Sequence, residues 1–392
     1  MRSISEESNL NNKKILLRLD LNVPLKNGKI EDTTRIDKIL PTLKFLINQN
    51  SRIIILSHVG RPKGKQTDDL TLKPICEDLS YKLNQNIKLV IENLSQINRD
   101  NLFENNKEKI VMLENIRFYS GEEKNDVEFA KHLSSLADIY VNDAFSCSHR
   151  AHASIYGISN FLPSYAGLQL DLEVKALKKI TSEIKKPITC IIGGSKISTK
   201  INIIKNLIPK FDNIIIVGGM ANNIIKYMGY NIGKSLQEEN SDVIIKEIFS
   251  LSEKENCKII YPEDIVVGKE LNGIPQIKEL NKITSDEMIL DIGPKTIQIV
   301  QNIIDYSNTI LWNGPAGYFE NPNFANGSIK IAEKIIENNK LDKIYSVVGG
   351  GDTVSLLNTL NAIDNFNFVS TAGGAFLEYL EGKELPGIKA LN

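Results

Sequence analysis

Short apolar runs alternate along this chain with stretches of helical periodicity, and glycine turns follow many of the runs. A strand, a turn, a helix and a further strand in that order are typical of parallel α/β sheets, because parallel strands need a crossover connection. The runs form two series. The first predicts strands at residues 14–19, 53–57, 110–113 and 139–142, and the second at 188–192, 213–217, 289–291, 309–312, 344–348 and 367–370.

Helical periodicity between the runs predicts a two-lobe organisation. Helices are expected at residues 36–47, 127–136, 201–208 and 329–336, and one at 168–183 that Pro187 closes. The predicted fold class is α/β, with a first lobe at 1–167, a joining helix within 168–186, a second lobe at 187–375 and a tail at 376–392. Since ligands of such sheets bind at the carboxyl ends of the strands, we expect the active site in the cleft between the lobes.

Composition excludes several classes of protein. The chain has 47 Lys and Arg and 48 Asp and Glu, and this near-zero net charge argues against a nucleic-acid partner. No apolar run is long enough to predict a membrane span, and polar residues 1–12 predict a cytoplasmic protein. The four cysteines (Cys76, Cys147, Cys190 and Cys257) lie far apart, which predicts reduced thiols and no zinc site.

Arginine is confined to the first part of the chain. The eight arginines are Arg2, Arg18, Arg35, Arg52, Arg61, Arg99, Arg117 and Arg150. Codon bias explains why arginine is scarce but not why it is confined. Because arginine offers a planar donor fork for carboxylate and phosphate, we interpret several of these residues as anion ligands.

Glycine turns follow six runs of the second lobe. They begin at Gly193, Gly218, Gly293, Gly314, Gly349 and Ala372. Ordinary packing turns would explain one or two of them, whereas six favour a nucleotide, since glycine lets the backbone approach phosphate closely. Neither a P-loop motif nor a dinucleotide fingerprint is present. Lys196 and Lys200, four residues apart at the start of a predicted helix, are candidates to hold phosphate, and a solvated helix end is the alternative.

Polar residues cluster after the strands of the first lobe. Arg18, Asp20 and Asn22 alternate at the end of the first strand, so they project to one side, and Arg35 opens the first helix. A salt-bridged structural cluster is the alternative to an anion site. Three of the four histidines, His58, His149 and His152, are candidates for a general base, but we interpret them as ligand or structural donors.

At the level of motifs, the chain resembles the phosphoglycerate kinase family over essentially its whole length. The matching segments are RLDLNVP (18–24), SHVGRP (57–62), LENIRF (113–118), NDAF (142–145), HRAHAS (149–154), GGSKISTK (193–200), GGMA (218–221), DIGPKT (291–296), WNGPAGYFE (312–320), GGGDT (349–353) and STAGGA (370–375). The resemblance implies two Rossmann-like lobes, the first binding 3-phosphoglycerate or 1,3-bisphosphoglycerate and the second binding Mg²⁺ with ADP or ATP. It also implies a monomer whose last residues, 384–392, return to the first lobe.

The resemblance also assigns roles to residues. Substrate binding falls on Asp20, Leu21, Asn22, Arg35, His58, Val59, Gly60, Arg61, Arg117 and Arg150. Nucleotide binding falls on Gly193, Lys196, Lys200, Gly218, Gly293, Asn313, Pro315, Glu320, Gly350, Gly351, Asp352 and Thr353, with Asp352 also contacting the metal. Catalysis falls on Arg35, Lys196, Lys200, Gly350 and Gly373. Ala372 replaces a glycine that the family usually has, so a positive φ there would be strained.

The expected reaction needs no general base, because the acceptor carboxylate is already ionised at neutral pH. In-line transfer after lobe closure requires positioning and charge neutralisation, which Arg35, Lys196, Lys200 and Mg²⁺ would supply. Two other classes of protein are alternatives to a kinase. A solute-binding protein would share the cleft without chemistry, and an NAD-linked dehydrogenase would share the type of sheet.

Overall fold

A computed structural model describes residues 1–103 and 108–392 of the chain. These residues form two compact units, one containing Met1–Val174 with Glu384–Asn392 and the other containing Lys175–Lys383. Each unit carries its own parallel sheet and hydrophobic core. The fold class predicted from the sequence, α/β with two parallel-sheet lobes, is therefore confirmed.

The first unit is built on a parallel sheet flanked by helices. Its strands are β1 (Lys14–Leu19), β2 (Leu25–Lys26), β3 (Lys29–Ile30), β4 (Arg52–Leu56), β5 (Ile87–Val90), β6 (Ile110–Leu113), β7 (Ile139–Asp143) and β8 (Ser164–Ala166). Its helices are α1 (Thr34–Asn48), α2 (Lys73–Leu83), α3 (Ser120–Glu123), α4 (Val127–Ser135) and the start of α5 (Leu168–Thr181). The described strands of the sheet follow the order β5-β6-β4-β1-β7-β8, and β2 and β3 form a separate hairpin.

The central strands of this sheet are apolar on both faces because helices cover both sides. Strand β1 is buried from Ile15 onward. In α1, Ile36, Ile39 and Leu43 lie on one face of the helix, and this face packs against the core. The polar residues that follow β1, β4, β6 and β7 then gather at one edge, because the carboxyl ends of parallel strands meet there.

The second unit repeats the parallel design. Its strands are β9 (Ile188–Ile192), β10 (Asn213–Ile216), β11 (Lys258–Ile260), β12 (Asp264–Gly268), β13 (Gln276–Glu279), β14 (Met288–Ile292), β15 (Thr309–Asn313), β16 (Tyr345–Gly349) and β17 (Phe368–Ser370). Its helices are α6 (Ile201–Leu207), α7 (Gly219–Tyr227), α8 (Asp242–Glu255), α9 (Pro294–Tyr306), α10 (Asn326–Lys340), α11 (Gly351–Thr359) and α12 (Gly373–Leu380). The parallel sheet has the order β11-β10-β9-β15-β16-β17 in the described residues.

One predicted strand belongs to a different sheet. The run at 289–291 lies in β14, which pairs antiparallel with β12, and β12 pairs antiparallel with β13. The prediction that it continues the parallel series was wrong because short loops, and no crossover helix, connect these three strands. The small antiparallel sheet instead supplies apolar side chains beside the carboxyl end of the parallel sheet.

The C-terminal residues pack on the first unit. Helix α13 (Pro386–Lys389) follows Leu385, and the backbone N–H of Gly387 donates to the carbonyl of Ser148 at 2.8 Å. The amide of Asn142, at the end of β7, also donates to the carbonyl of Gly387 at 3.4 Å. No helix in the described ranges combines the length and the apolar character that crossing a membrane requires.

Candidate active site

Arg35 is held at the carboxyl edge of the first unit's sheet by residues that follow β1. Its Nη1 donates to the carboxylate of Asp20 at 3.1 Å and to the carbonyl of Asn22 at 3.2 Å. The other carboxylate oxygen of Asp20 accepts from the hydroxyl of Ser146 at 2.5 Å. Because Arg35 also lies in the first turn of α1, its guanidinium is oriented and still partly exposed.

The turn after β4 is tied to the same edge. The side-chain oxygen of Asn22 accepts from the N–H of Gly60 at 2.9 Å, and Nη1 of Arg117 donates to the Gly60 carbonyl at 2.9 Å. Gly60 has φ +65°, a conformation that favours glycine. Leu21 and Val59 are buried, so of the predicted substrate residues these two contribute packing and backbone groups.

Arg117 is a buried cation with unused donor capacity. Its side chain is 4% exposed, and its Nε has no hydrogen-bond partner in the described part of the chain, although the carboxylate of Glu123 lies 3.7 Å away. Burial lowers the pKa of Arg117, and the neighbouring charges of Arg18 and Arg150 act in the same direction. A buried donor that lacks a partner is costly unless a ligand completes it.

Two histidines near these arginines are neutral at physiological pH. Burial, and then the charge of Arg18, hold the pKa of His58 well below its usual range. Burial and the charges of Arg117 and Arg150 lower the pKa of His152 to about 4. Both are therefore neutral hydrogen-bonding groups near pH 7.

Arg18 plays a structural part in the first unit. It is almost fully buried, its Nε donates to the hydroxyl of Ser154 at 3.0 Å, and its Nη2 lies 2.9 Å from Nδ1 of His58. The Ser154 hydroxyl in turn donates to the buried carboxylate of Glu122 at 2.6 Å. Arg18 is thus held in a hydrogen-bonded structural cluster, in which Ser154 links it to Glu122. Arg61, in contrast, is exposed, and Arg150 is half-buried with Nε 3.1 Å from Nε2 of His149.

A pocket of about 270 Å³ opens at the glycine turns of the second unit. Four of the predicted nucleotide residues line it, namely Gly218, Pro315, Glu320 and Asp352. Apolar side chains form much of the remaining wall, namely those of Leu236, Pro262, Ile265, Ile289 and Leu290. A concave apolar surface with a few polar groups at its edge is typical of a site for a planar organic ligand.

Beside this pocket a hydrogen-bond frame joins three glycine turns around Asn313. The ammonium group of Lys200 donates to the Asn313 side-chain oxygen, and the Asn313 amide donates to the carbonyl of Gly349 at 2.7 Å. The N–H of Gly193 donates to the Asn313 carbonyl at 2.9 Å. Burial lowers the pKa of Lys200, while nearby Cys190 and Asp352 act to raise it.

The residues that begin α11 continue this frame. Gly350 is the N-cap of the helix with φ +101°, and the hydroxyl of Thr353 accepts from the N–H of Gly314 at 2.7 Å. Asp352 lies in the first turn of the helix and is exposed, whereas Gly350 occupies the N-cap because its positive φ favours glycine. Gly351 is also exposed at the helix start, so the N-terminal N–H groups of α11 face solvent-accessible space.

Three sequence predictions about helix starts need correction or refinement. Helix α6 begins at Ile201, so Lys196 lies in the preceding loop and does not share a helix face with Lys200. Gly293 precedes α9, whose first N–H groups already donate to the carboxylate of Asp264, so no N–H there is left for phosphate. Before Gly373, Ala372 has φ −96°, and its replacement of glycine causes no strain.

Sequence reasoning missed the apolar wall of the pocket. Leu236 comes from a loop, and Ile265 and Ile289 come from the antiparallel sheet, so no local motif links them to the glycine turns. Asp291 was also missed: it lies in the wall, where its carboxylate accepts from the N–H of Gly327 at 2.7 Å, and burial raises its pKa to about 7. The only local signal for this wall is the short apolar runs within residues 264–268 and 288–292, which indicate strands but not that they border the glycine turns.

Comparison with known proteins decides between the alternatives. The family model described as phosphoglycerate kinase matches residues 5–383. The chain belongs to the phosphoglycerate kinase family. The solute-binding and dehydrogenase alternatives are thereby excluded, and the resemblance seen in the sequence motifs is confirmed.

Individual phosphoglycerate kinases cover the chain from end to end. The phosphoglycerate kinase of Wolbachia sp. subsp. Drosophila simulans is 45% identical over 388 residues, covering 98% of this chain and 97% of the relative. That of Dictyoglomus turgidum is 45% identical over 387 residues, with the same coverage. Among solved structures, phosphoglycerate kinase from Coxiella burnetii matches with a TM-score of 0.92 at 40% identity, covering 99% of this chain and 98% of that one. Phosphoglycerate kinase from Pyrococcus horikoshii matches with a TM-score of 0.82 at 27% identity, covering 100% and 98%.

Proposed function

We propose that this chain carries out the phosphoglycerate kinase reaction with the glycerate bound on its first unit and the nucleotide on its second. Membership of the family gives the reaction itself, the reversible transfer of the acyl phosphate of 1,3-bisphosphoglycerate to ADP, which yields 3-phosphoglycerate and ATP in glycolysis. The distribution of arginine supports the assignment of the glycerate to the first unit, since no arginine follows Arg150.

The glycerate is a small polyanion, and the first unit presents cations suited to it. Arg35 and Arg117 are oriented by backbone carbonyls at the same sheet edge, and Arg61 and Arg150 bring further charge. Planar guanidinium groups bind carboxylate and phosphate through paired hydrogen bonds. Neutral His58 adds a hydrogen-bonding group without adding charge.

The nucleotide fits the second unit in two parts. The apolar pocket receives the base, with Glu320 at its edge to accept from ribose hydroxyls. The phosphates lie toward the exposed N-terminus of α11, where free N–H groups and the helix dipole favour anions. Lys200 and Lys196 then approach the terminal phosphate.

Magnesium is held mainly by the substrate in this proposal. Mg²⁺ in phosphate-transfer sites keeps several waters and uses one or two protein carboxylates together with phosphate oxygens. Asp352 provides an exposed carboxylate in the first turn of α11, next to the proposed phosphate position, so its donor chemistry fits. The bound ion would neutralise charge on the phosphates.

Transfer needs positioning and charge neutralisation, not proton abstraction. Arg35 from the first unit, and Lys196 and Lys200 from the second, would surround the moving phosphoryl group. Because these groups belong to different units, we propose that a hinge motion closes the site once both ligands are bound, with α5 as one hinge element. We further propose a cytoplasmic monomer that needs neither nucleic acid nor membrane.

A coupled assay tests the proposed activity. Purified chain is mixed with 3-phosphoglycerate, ATP and Mg²⁺, and 1,3-bisphosphoglycerate is detected by an NADH-linked dehydrogenase. We expect NADH oxidation that requires every component. No oxidation with the folded chain, under conditions where another phosphoglycerate kinase is active, would refute the proposal.

A further inference from the structure

Residues 235–238 of the second unit bridge the apolar pocket and the loop that carries the two lysines. Leu236 lines the pocket, and its carbonyl accepts from the side-chain amide of Asn222 at 3.0 Å. The hydroxyl of Ser235 accepts from the N–H of Ile289, in β14, at 2.8 Å. The segment is therefore fixed to two walls of the pocket.

Glu238 extends this segment to the loop at residues 193–200. One of its carboxylate oxygens accepts from the N–H of Ser198 at 3.0 Å, and the other accepts from the Ser198 hydroxyl at 2.5 Å. The N–H of Ile197 bonds to the same carboxylate. The backbone N–H of Glu238 itself donates to the Asn223 side-chain oxygen at 2.8 Å, so the residue is anchored from behind on α7.

The carboxylate of Glu238 is ionised throughout the physiological range. Partial burial would raise its pKa, but the hydrogen bonds from Ser198 and Ile197 and the charge of Lys196 outweigh burial and hold the pKa below its ordinary value. A carboxylate with two or three N–H and O–H donors is a strong, directional restraint on a loop. The turn that Glu238 holds lies between the two lysines: Ser198 is two residues after Lys196 and two residues before Lys200.

We propose that Glu238 is a positioning residue for phosphoryl transfer: it clamps the Ile197–Ser198 turn so that Lys196 and Lys200 are directed at the transferring phosphate. This inference rests on the proposed function, which gives the two lysines their role. Lysine side chains are long and their flexible stems do not orient the charge, so the backbone that carries them must be fixed. A displacement of about 1 Å in a reacting geometry costs on the order of 100-fold in rate.

The test compares neighbouring glutamates. Glu238→Gln turns one acceptor oxygen into an NH₂ group that faces a donor of the turn, whereas Glu239→Gln removes the same charge from an exposed neighbour. We expect Glu238→Gln to lower kcat by about tenfold or more with both KM values within about twofold of wild type, and Glu239→Gln to match wild type. A purely structural role would lower Tm and leave the kcat of the folded protein unchanged.

A second variant keeps the proposal testable if Glu238→Gln does not fold. Ser198→Ala removes one of the clamping bonds, and we expect a smaller fall in kcat, with the double variant no slower than Glu238→Gln alone within about twofold, since both act through one contact. Unchanged kcat in folded Glu238→Gln or in Ser198→Ala, or independent multiplying effects in the double variant, would overturn the inference. An inactive wild-type chain would instead overturn the proposed function.

Discussion

Gly350→Ala should destabilise the second unit strongly. Gly350 has φ +101°, where an L-residue is strained by about 1–3 kcal/mol. A Cβ there would lie 2.7 Å from the amide nitrogen of Asn313, and moving a packed group typically costs about 1–3 kcal/mol. The expected loss in the free energy of unfolding is their sum, roughly 2–6 kcal/mol.

Thermal unfolding measures this loss. For a unit of about 200 residues each kcal/mol lowers Tm by about 2–4 °C, so the middle of the range predicts a fall of about 12 °C. Gly351→Ala is the matched control, because no atom lies within 4 Å of its Cβ position and its φ is not positive. We expect its Tm to stay within about 2 °C of wild type.

The same substitution tests the phosphate frame. Displacing Asn313 also moves the acceptor of Lys200, so Gly350→Ala should weaken Mg-ADP binding by tenfold or more in calorimetry below its Tm. A Tm within 2 °C of wild type, or equal values for Gly350→Ala and Gly351→Ala, would refute the reasoning from strain and contact.

Three further predictions concern catalysis, pH and closure. Arg35→Ala should lower kcat by about 100-fold or more, while Arg150→Ala should mainly raise KM for 3-phosphoglycerate; steady-state kinetics with equal KM effects and intact kcat in both would contradict this distinction. The pKa of His152 is about 4 in the folded chain, so the unfolded chain binds the proton first and stability is lost as pH falls below about 6.5. Urea unfolding should therefore show wild type losing about 1.5 kcal/mol relative to His152→Gln between pH 6.5 and 5, and equal pH profiles would contradict the assignment. In solution scattering each ligand alone should reduce the radius of gyration partly and both together most, whereas one unchanged value in all four states would exclude closure.

The sequence predicted the two parallel sheets because each central strand carries its own signal. Runs such as β1 and β9 are buried on both faces, so continuous apolar sequence is enough to identify them. The antiparallel sheet was not predicted because β13 is largely exposed, so its sequence lacks an alternation of buried and exposed residues. Its membership depends on pairing with β12, which no local pattern records.

The candidate site was predicted in part for a related reason. Arg35 and Lys200 sit where local motifs place them, at a helix start and after a glycine turn. Helix α6 starts at Ile201, where the helical periodicity predicts it, but the placement of Lys196 on the same helix was wrong, because the turn after Lys196 is held by Glu238, forty residues away along the chain. Gly293 resembled a phosphate-binding turn because the carboxylate that occupies its N–H groups belongs to Asp264, which lies 31 residues before Lys295 and 32 before Thr296.

Hydrogen–deuterium exchange with each substrate added separately tests the division of ligands most directly. The account predicts that 3-phosphoglycerate alone protects first-unit peptides containing Asn22, Gly60 and Arg117. It predicts that Mg-ADP alone protects second-unit peptides containing Lys200 and Asp352. Protection of second-unit glycine turns by 3-phosphoglycerate alone, or of the arginine cluster by Mg-ADP alone, would contradict it.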